Sequence, residues 1–178
     1  MAHEFRYVQS GDQSIRVAVM GSGPLVLMVH GFPESWYSWR HQLAPIAEAG
    51  FTAAAIDVRG YGGSSRPHPV EAYDMASIVS DNQAVADALG GGKAILVGHD
   101  WGAPIVWNTA LMDTQRLTEV CGMSIPHMGP GAAPVIEVAR SHGIAVRCIF
   151  VVTPIEQAQA HAAQRVLERC GSFDGEAV

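Results

Sequence analysis

Gly98-His99-Asp100-Trp101-Gly102 is the stretch that decides how this 178-residue chain folds. It follows the apolar run at residues 94–97 and opens an apolar helix pattern from about Trp101 to Met112. A chain that passes from a buried strand into a helix within so few residues must reverse sharply. The residues two before and two after the turning point then crowd together, and glycine at both places, Gly98 and Gly102, relieves the clash. Asp100 at the tip projects from the carboxyl end of a sheet, where open α/β sheets bind ligands. The helix N-terminus favours a carboxylate there by about 0.3–1 kcal/mol. A plainer reading of the same residues is a glycine-rich turn whose Asp100 only caps the helix.

Outward from this turn, strand and helix patterns alternate. Leu25–Val29 is a continuous apolar run, as in a strand buried on both faces. A helix is expected over residues 36–49, closed by Gly50, then a strand over 51–56. Residues 57–69 read as a loop. About 74–89 reads as a helix, with Met75, Ile78, Val79, Val85 and Leu89 near helical spacing. A further strand is expected over about 119–125. Two short strands, 5–8 and 15–19, flank a turn near the start and read as an antiparallel edge. The alternation predicts an α/β fold with a mostly parallel sheet and an antiparallel N-terminal edge. Residues 126–134, rich in Gly and Pro, are the candidate boundary between a core of residues 1–130 and a tail of residues 131–178. In the tail, 144–152 reads as a strand. Thr153-Pro154-Ile155-Glu156 is a capping box with Pro at the first helical position, and Gly171 closes the helix that follows.

Composition excludes several classes. A hydrophobic content of 48% is too high for a disordered chain. No apolar run reaches the roughly 18 residues that span a bilayer. Residues 1–10 carry Glu4 and lack an apolar stretch, so no signal peptide is expected. A net charge of -6 argues against nucleic-acid backbones and anionic membranes as partners. Cys121, Cys148 and Cys170 are odd in number, widely spaced and without metal spacing, and read as buried thiols in a reducing, cytoplasmic setting. Neither a metal nor a cofactor is expected.

The pentapeptide 98–102 has the form of a nucleophile elbow with Asp100 in place of the usual Ser. His30-Gly31-Phe32-Pro33 leaves the first buried strand and is placed to complete an oxyanion hole, with the backbone N–H groups of Phe32 and Trp101 converging on one point. On its own this second motif is an ordinary turn. Three blocks, His30-Gly31-Phe32-Pro33-Glu34-Ser35-Trp36-Tyr37-Ser38-Trp39-Arg40, Asp57-Val58-Arg59-Gly60-Tyr61-Gly62-Gly63-Ser64-Ser65 and Gly98-His99-Asp100-Trp101-Gly102-Ala103-Pro104, resemble in order and spacing the epoxide hydrolases of the α/β-hydrolase fold. The resemblance covers about residues 4–130.

That resemblance implies a mechanism. Asp100 attacks an epoxide carbon to form an alkyl–enzyme ester, and water then releases a diol. An ester of Asp can be hydrolysed, whereas an ether of Ser cannot. Phe32 and Trp101 would donate to the oxyanion, and Gly31, Pro33, Gly98 and Gly102 would be scaffolding. His30 would orient the oxyanion loop and His99 would support the elbow. The implied substrate is a small apolar epoxide. Trp101 is also similar to the Trp that follows the nucleophile in haloalkane dehalogenases, but Phe32 and the run to Tyr37 favour the epoxide branch.

The family also uses a general base in the order nucleophile, acid, His, and cap tyrosines that protonate the epoxide oxygen. No Tyr follows Asp100. Glu137/His142 and Glu156/His161 have the right order, but five helical residues turn about 140° away from the starting face. Those two histidines and His127 read as surface or loop residues, and His3, His41 and His68 as solvated. The expected fold is therefore a partial α/β-hydrolase core, with cap and late core elements missing and a C-terminal strand–helix unit added. The expected activity stops at the first half-reaction. An exposed sheet edge predicts homo-oligomerisation or aggregation. The rival is a non-catalytic remnant or interaction module. The tail is similar to a late strand–helix segment of P-loop kinases. Gly90-Gly91-Gly92-Lys93-Ala94 lacks the upstream Gly and the hydroxyl residue of a phosphate loop, so no nucleotide binding is expected.

Overall fold

The computed structural model describes residues 2–125, 141 and 143–149 of the chain. Strand β1 (Glu4–Ser10) turns at Gly11 into β2 (Gln13–Met20), and the two pair antiparallel. The continuous apolar run forms β3 (Leu25–Val29), buried at every position. Helix α1 (Arg40–Glu48) leads to β4 (Thr52–Ile56), and α2 (Met75–Gly90) leads to β5 (Ala94–His99). Helix α3 (Gly102–Met112) is followed by β6 (Leu117–Met123) and β7 (Ala145–Ile149).

The seven strands form one sheet ordered β1-β2-β4-β3-β5-β6-β7. The pairs β3–β4, β3–β5, β5–β6 and β6–β7 are parallel, while β1–β2 and β2–β4 are antiparallel. The expected parallel sheet with an antiparallel edge is therefore present. Alternate residues of the central strands feed two cores, since side chains of a strand point to opposite faces. On one face Val26, Met28, Ala53, Ala55 and Val97 pack with Trp39, Leu43 and Ile46 around α1. On the other, Leu27, Val29, Ile56 and Leu96 pack with Val85 of α2 and with Ile105, Val106 and Trp107 of α3. Each fully buried Leu, Ile or Val contributes about 1.5–3 kcal/mol, so this layering holds the strand ends that carry the loops.

Several boundaries differ from the sequence reading. The helix expected over 36–49 is divided into a 3₁₀ turn, Trp36–Trp39, and α1. Ser35 starts the first turn by accepting the Tyr37 N–H on its Oγ. Strand β5 runs on to His99 because Gly98 and His99 pair with Gly122 and Met123. Strand β6 ends at Met123 rather than at 125, where the Ile125 carbonyl instead accepts the Trp107 indole N–H at 3.3 Å. In the tail, β7 joins the sheet edge in register, from Glu119↔Ala145 to Met123↔Ile149. The boundary at 126–134, the histidines His127, His142 and His161, and the helix expected after Thr153 lie outside the described residues.

Sheet topology sets where a ligand can bind. From β3 the chain crosses to β4 on one side, then returns over β3 to β5 on the other. The strand order reverses at β3, and the loops leaving β3 and β5 diverge at their carboxyl ends. Such a switch point opens a crevice in a parallel sheet.

Candidate active site

The turn between β5 and α3 is as tight as its glycines suggest. A Cβ on Gly98 would lie 2.2 Å from the Gly102 carbonyl oxygen, and one on Gly102 would lie 2.2 Å from the Val29 carbonyl oxygen. Asp100 sits at φ +52°, in the left-handed region that Asp tolerates better than most residues. Its N–H donates to the Met123 carbonyl at 3.2 Å, and its carbonyl accepts the Ala103 N–H at 2.9 Å. The backbone is thus tied to β6 on one side and to α3 on the other.

The side chain of Asp100 does not cap the helix. Its Oδ1 accepts the backbone N–H of Phe32 at 3.0 Å, across 68 residues of sequence. A Cβ on Gly31 would meet the Asp100 Cβ at 2.6 Å, so glycine there lets the two loops approach. The Trp101 N–H, one residue before α3, donates to no other described residue. The capping alternative is therefore set aside, and one of the two expected oxyanion donors is already on the carboxylate.

The loop after β3 is held from below by His30, which is buried. Its Nε2 accepts the Val58 N–H at 3.0 Å, so Nε2 carries no proton and the hydrogen sits on Nδ1. That Nδ1–H donates to the Gly31 carbonyl at 2.8 Å. Burial pushes the imidazole below its ordinary value, outweighing the Gly31 carbonyl, Asp57 and Glu34, which pull it up. His30 is thus a neutral brace with both nitrogens engaged. The Phe32–Pro33 peptide is cis. Glu34 closes the same turn: its Oε2 accepts the Gly31 N–H at 3.1 Å, and its own N–H donates to the Gly31 carbonyl at 3.1 Å. Burial pushes the Glu34 carboxyl up, but His99, the Gly31 N–H and Ser38 together hold it below the ordinary carboxylate range. His99 is itself buried, with Nδ1 3.9 Å from Glu34 Oε1, longer than a hydrogen bond. His99, the last residue of β5, thus lies beside the turn that carries Phe32.

Two features of the site were not read from the sequence. Asp57, the first residue after β4, is fully buried and accepts from Arg16 Nε at 2.7 Å, the Trp36 N–H at 2.9 Å and the Gly63 N–H at 2.9 Å. Arg59 forms a two-pronged ion pair with Asp81, with its Nε donating to Oδ2 at 2.9 Å and its Nη2 to Oδ1 at 2.7 Å. The Asp81 hydrogen bonds raise the Arg59 guanidinium pKa further, against the opposing effect of burial. Together these pairs fix the 57–65 loop that forms one wall of a cleft. The cleft has a volume of about 490 Å³, with Asp100 and Trp101 on one side. Phe32, Val58, Ile78 and Ile125 make it largely apolar, while Arg59, Tyr61 and Tyr73 add the remaining polar groups. The blocks 30–40 and 57–65 contained several of these residues, but only the strand order shows that they share a wall with Asp100.

Of the remaining expectations, Cys121 is buried, while the side chains of Cys148 and Cys170 lie outside the description. His41 and His68 are exposed. His3 is exposed too, yet packs against Phe5 and Trp36 at ring separations of 5.3 and 4.8 Å. Among the described residues no group of three or more His, Cys, Asp or Glu could hold a metal ion, and no helix is long and apolar enough to cross a membrane.

The model of the alpha/beta hydrolase fold family matches residues 24–145. The chain belongs to that family. Within it, the chain is 42% identical over 138 residues to epoxide hydrolase A of Mycobacterium tuberculosis, an alignment covering 76% of this chain and 43% of that one. Epoxide hydrolase B of the same organism is 50% identical over 109 residues, covering 61% of this chain and 31% of that one. Among solved structures, an epoxide hydrolase from an endophytic Streptomyces superposes with a TM-score of 0.70 at 52% identity, covering 71% of this chain and 38% of the other. The Vigna radiata enzyme VrEH1 gives 0.69 at 38% identity, over 79% of this chain and 46% of that one. The resemblance drawn from the three motif blocks is thus borne out at the level of the family. The chain spans less than half the length of these relatives.

Proposed function

We propose that this chain carries the nucleophilic half of an epoxide-opening site, with Asp100 as the nucleophile. The observation that carries the reading is the Phe32 N–H donating at 3.0 Å to Oδ1 of Asp100, which is itself held at φ +52° and lines an apolar cleft. A carboxylate with one oxygen on an amide keeps its other oxygen for attack. Oδ2 bonds to an epoxide carbon, the ring C–O bond breaks, and the Oδ1 side becomes the ester carbonyl. That carbonyl already faces the amide which would stabilise the tetrahedral oxyanion during hydrolysis. The Trp101 N–H, at the start of α3 and without a partner among the described residues, is the second donor.

The largely apolar lining favours a small apolar epoxide. Hydrolysis of the ester needs a base. His30 has both nitrogens engaged, and His99 Nδ1 faces Glu34, so neither is placed to activate water for the ester. Among the described residues no other histidine lines the cleft. The ester of the first half-reaction is therefore the species to look for on this chain. The low cysteine count suits a reducing, cytoplasmic setting, and the net charge of -6 suits neither nucleic acid nor an anionic membrane as partner. Strand β1 at the sheet edge exposes Phe5 and Tyr7, the feature through which copies would associate, and light scattering reads that directly.

Intact-protein mass spectrometry with styrene oxide tests the reading. One adduct per chain is expected for the wild type and none for Asp100→Asn, since an amide is a poor nucleophile. An adduct equal in both proteins, or none in either, favours the non-catalytic remnant. Halide release from a chloroalkane in preference to reaction with styrene oxide would point to the dehalogenase branch.

A further inference from the structure

We propose that two copies of this chain pair antiparallel through β1 about a two-fold axis at Phe5, so that Glu4 of each copy faces Arg6 of the other. The inference rests on the association through β1 proposed above, gives it a register, and is independent of Asp100. Strand β1 ends the sheet on one side, and an edge strand presents a row of unpaired N–H and C=O groups. Its pairing with β2 is unbroken from Glu4 to Ser10, so the outer rim is regular. Residues 4–10 include neither proline nor lysine, which commonly blunt such an edge. The half of β1 from Glu4 to Tyr7 is exposed at every position, whereas Val8 and Ser10 are buried. A second strand therefore fits best on the first half.

Symmetry leaves few registers, and charge selects one. Opposite residues of an antiparallel pair point to the same face of the sheet. A two-fold normal to the sheet must therefore pass through one residue of β1 and set it against its own copy. An axis at Arg6 brings two guanidiniums together and an axis at Glu4 brings two carboxylates together, and like charges directly opposite are destabilising. An axis at Tyr7 draws the buried Val8 and Ser10 into the pairing and leaves Arg6 without an opposite charge. An axis at Phe5 sets Glu4 opposite the partner's Arg6, and Arg6 opposite the partner's Glu4. Within one strand these two side chains already lie together, with Arg6 Nε donating to Glu4 Oε1 at 2.7 Å, and both are more than half exposed. On the other face Phe5 meets the partner's Phe5, and Tyr7 meets the partner's His3. Phe5 is held ready by Arg16, whose guanidinium carbon lies 4.7 Å from the ring centre, and by His3 and Trp36, with ring centres 5.3 and 5.1 Å away. Tyr7 is 59% exposed and free to be covered. Aromatic pairs and opposite-charge pairs across antiparallel strands both favour the pairing.

The test reverses charges on the full chain and reads assembly by sedimentation velocity. The wild type is expected to dimerise reversibly with concentration. Glu4→Arg and Arg6→Glu each turn both cross-strand pairs into like-charged ones, so each variant alone is expected to dimerise more weakly by about tenfold or more. An equal mixture of the two variants restores opposite charges at both places and is expected to regain dimers near wild-type strength. Mixing cannot repair the contact within one strand, so the recovery reports on pairing between copies. Single cysteines locate the axis. Directly opposite Cα atoms lie about 4.5–5.5 Å apart, within disulfide reach. Phe5→Cys is therefore expected to give a covalent dimer on oxidation, beyond any that the wild type forms. Tyr7→Cys is not, since its two copies would be offset by about 14 Å along the strands. Dimers that resist both charge reversals, no recovery in the mixture, or cross-linking through Tyr7→Cys in place of Phe5→Cys overturn this register. A wild type that stays monomeric at every concentration overturns association through β1 altogether, and neither result bears on the reaction of Asp100 with styrene oxide.

Discussion

Two aspartates leave this sheet at equivalent places, and they have opposite fates. Asp57 follows β4 and Asp100 follows β5, each one residue past a parallel strand. Asp57 is 0% exposed, paired with Arg16 and loaded with two backbone N–H groups besides. Asp100 is half-buried, accepts the Phe32 N–H and pairs with no cation among the described residues. Position at the carboxyl end of a strand therefore does not by itself decide what surrounds a carboxylate. What distinguishes Asp100 is a spare oxygen facing an apolar cleft, on a backbone that glycines allow to turn outward. A carboxylate engaged on both oxygens by an arginine and two backbone N–H groups holds its neighbours together.

The largest effect expected is on the turn that presents Asp100. Gly98→Ala would push a Cβ to 2.2 Å from the Gly102 carbonyl oxygen, a backbone clash with no flexible side chain to give way. A loss of more than about 4 kcal/mol is expected, read as collapse of the urea midpoint. A stable Gly98→Ala variant would mean that the elbow is looser than a 2.2 Å approach implies. Next, the two aspartates should separate cleanly on stability. Asp57→Ala strands Arg16 and two N–H groups in the interior and is expected to cost about 3–5 kcal/mol. Asp100→Asn keeps a residue that tolerates a positive φ and is expected to stay within about 0.5 kcal/mol of wild type. If denaturant curves put the two variants in the reverse order, the division into a structural and a reactive carboxylate fails.

A smaller effect concerns pH. His30 is held below its ordinary value of 6.5 by burial, so in acid the unfolded chain takes up a proton that the folded chain refuses. Stability from this group is present above pH 6.5 and falls as the pH drops below it, with a slope of at most about 1.4 kcal/mol per pH unit. Glu34, held below its ordinary 4.5, adds stability that is present above that value and lost as the pH falls through the lower, folded one. Urea midpoints between pH 7.5 and 5.5, a range chosen to span about one unit either side of an ordinary His, should therefore decline. His30→Gln should flatten that decline. An unchanged slope in the variant would assign the acid sensitivity elsewhere.

Much of this comparison was legible in the sequence, and the reasons are local. The run Leu25–Val29 forms a strand over those same residues because a strand covered on both faces leaves no polar position to confuse its ends. Gly98 and Gly102 flank Asp100 at the spacing that a strand-to-helix reversal requires, so the turn could be read without coordinates. The cleft wall could not. Val58, Arg59 and Tyr61 look like loop residues until the return of the chain over β3 sets their loop opposite Asp100. The Arg59–Asp81 pair joins a loop to a helix 22 residues on, with no periodic pattern to announce it. The buried role of Asp57 depends on Arg16, 41 residues earlier, from the antiparallel edge. Long-range polar pairs of this kind depend on the topology, and the topology is a product of the two cores rather than of any motif.

Locating the covalent adduct tests the central claim most directly. After reaction with styrene oxide, the chain is digested and the modified peptide is fragmented. The account expects a single ester on the Asp100 carboxylate and its loss in Asp100→Asn. An adduct on Cys121, Glu34 or His99 instead, or one that survives the Asp100→Asn substitution, would contradict it.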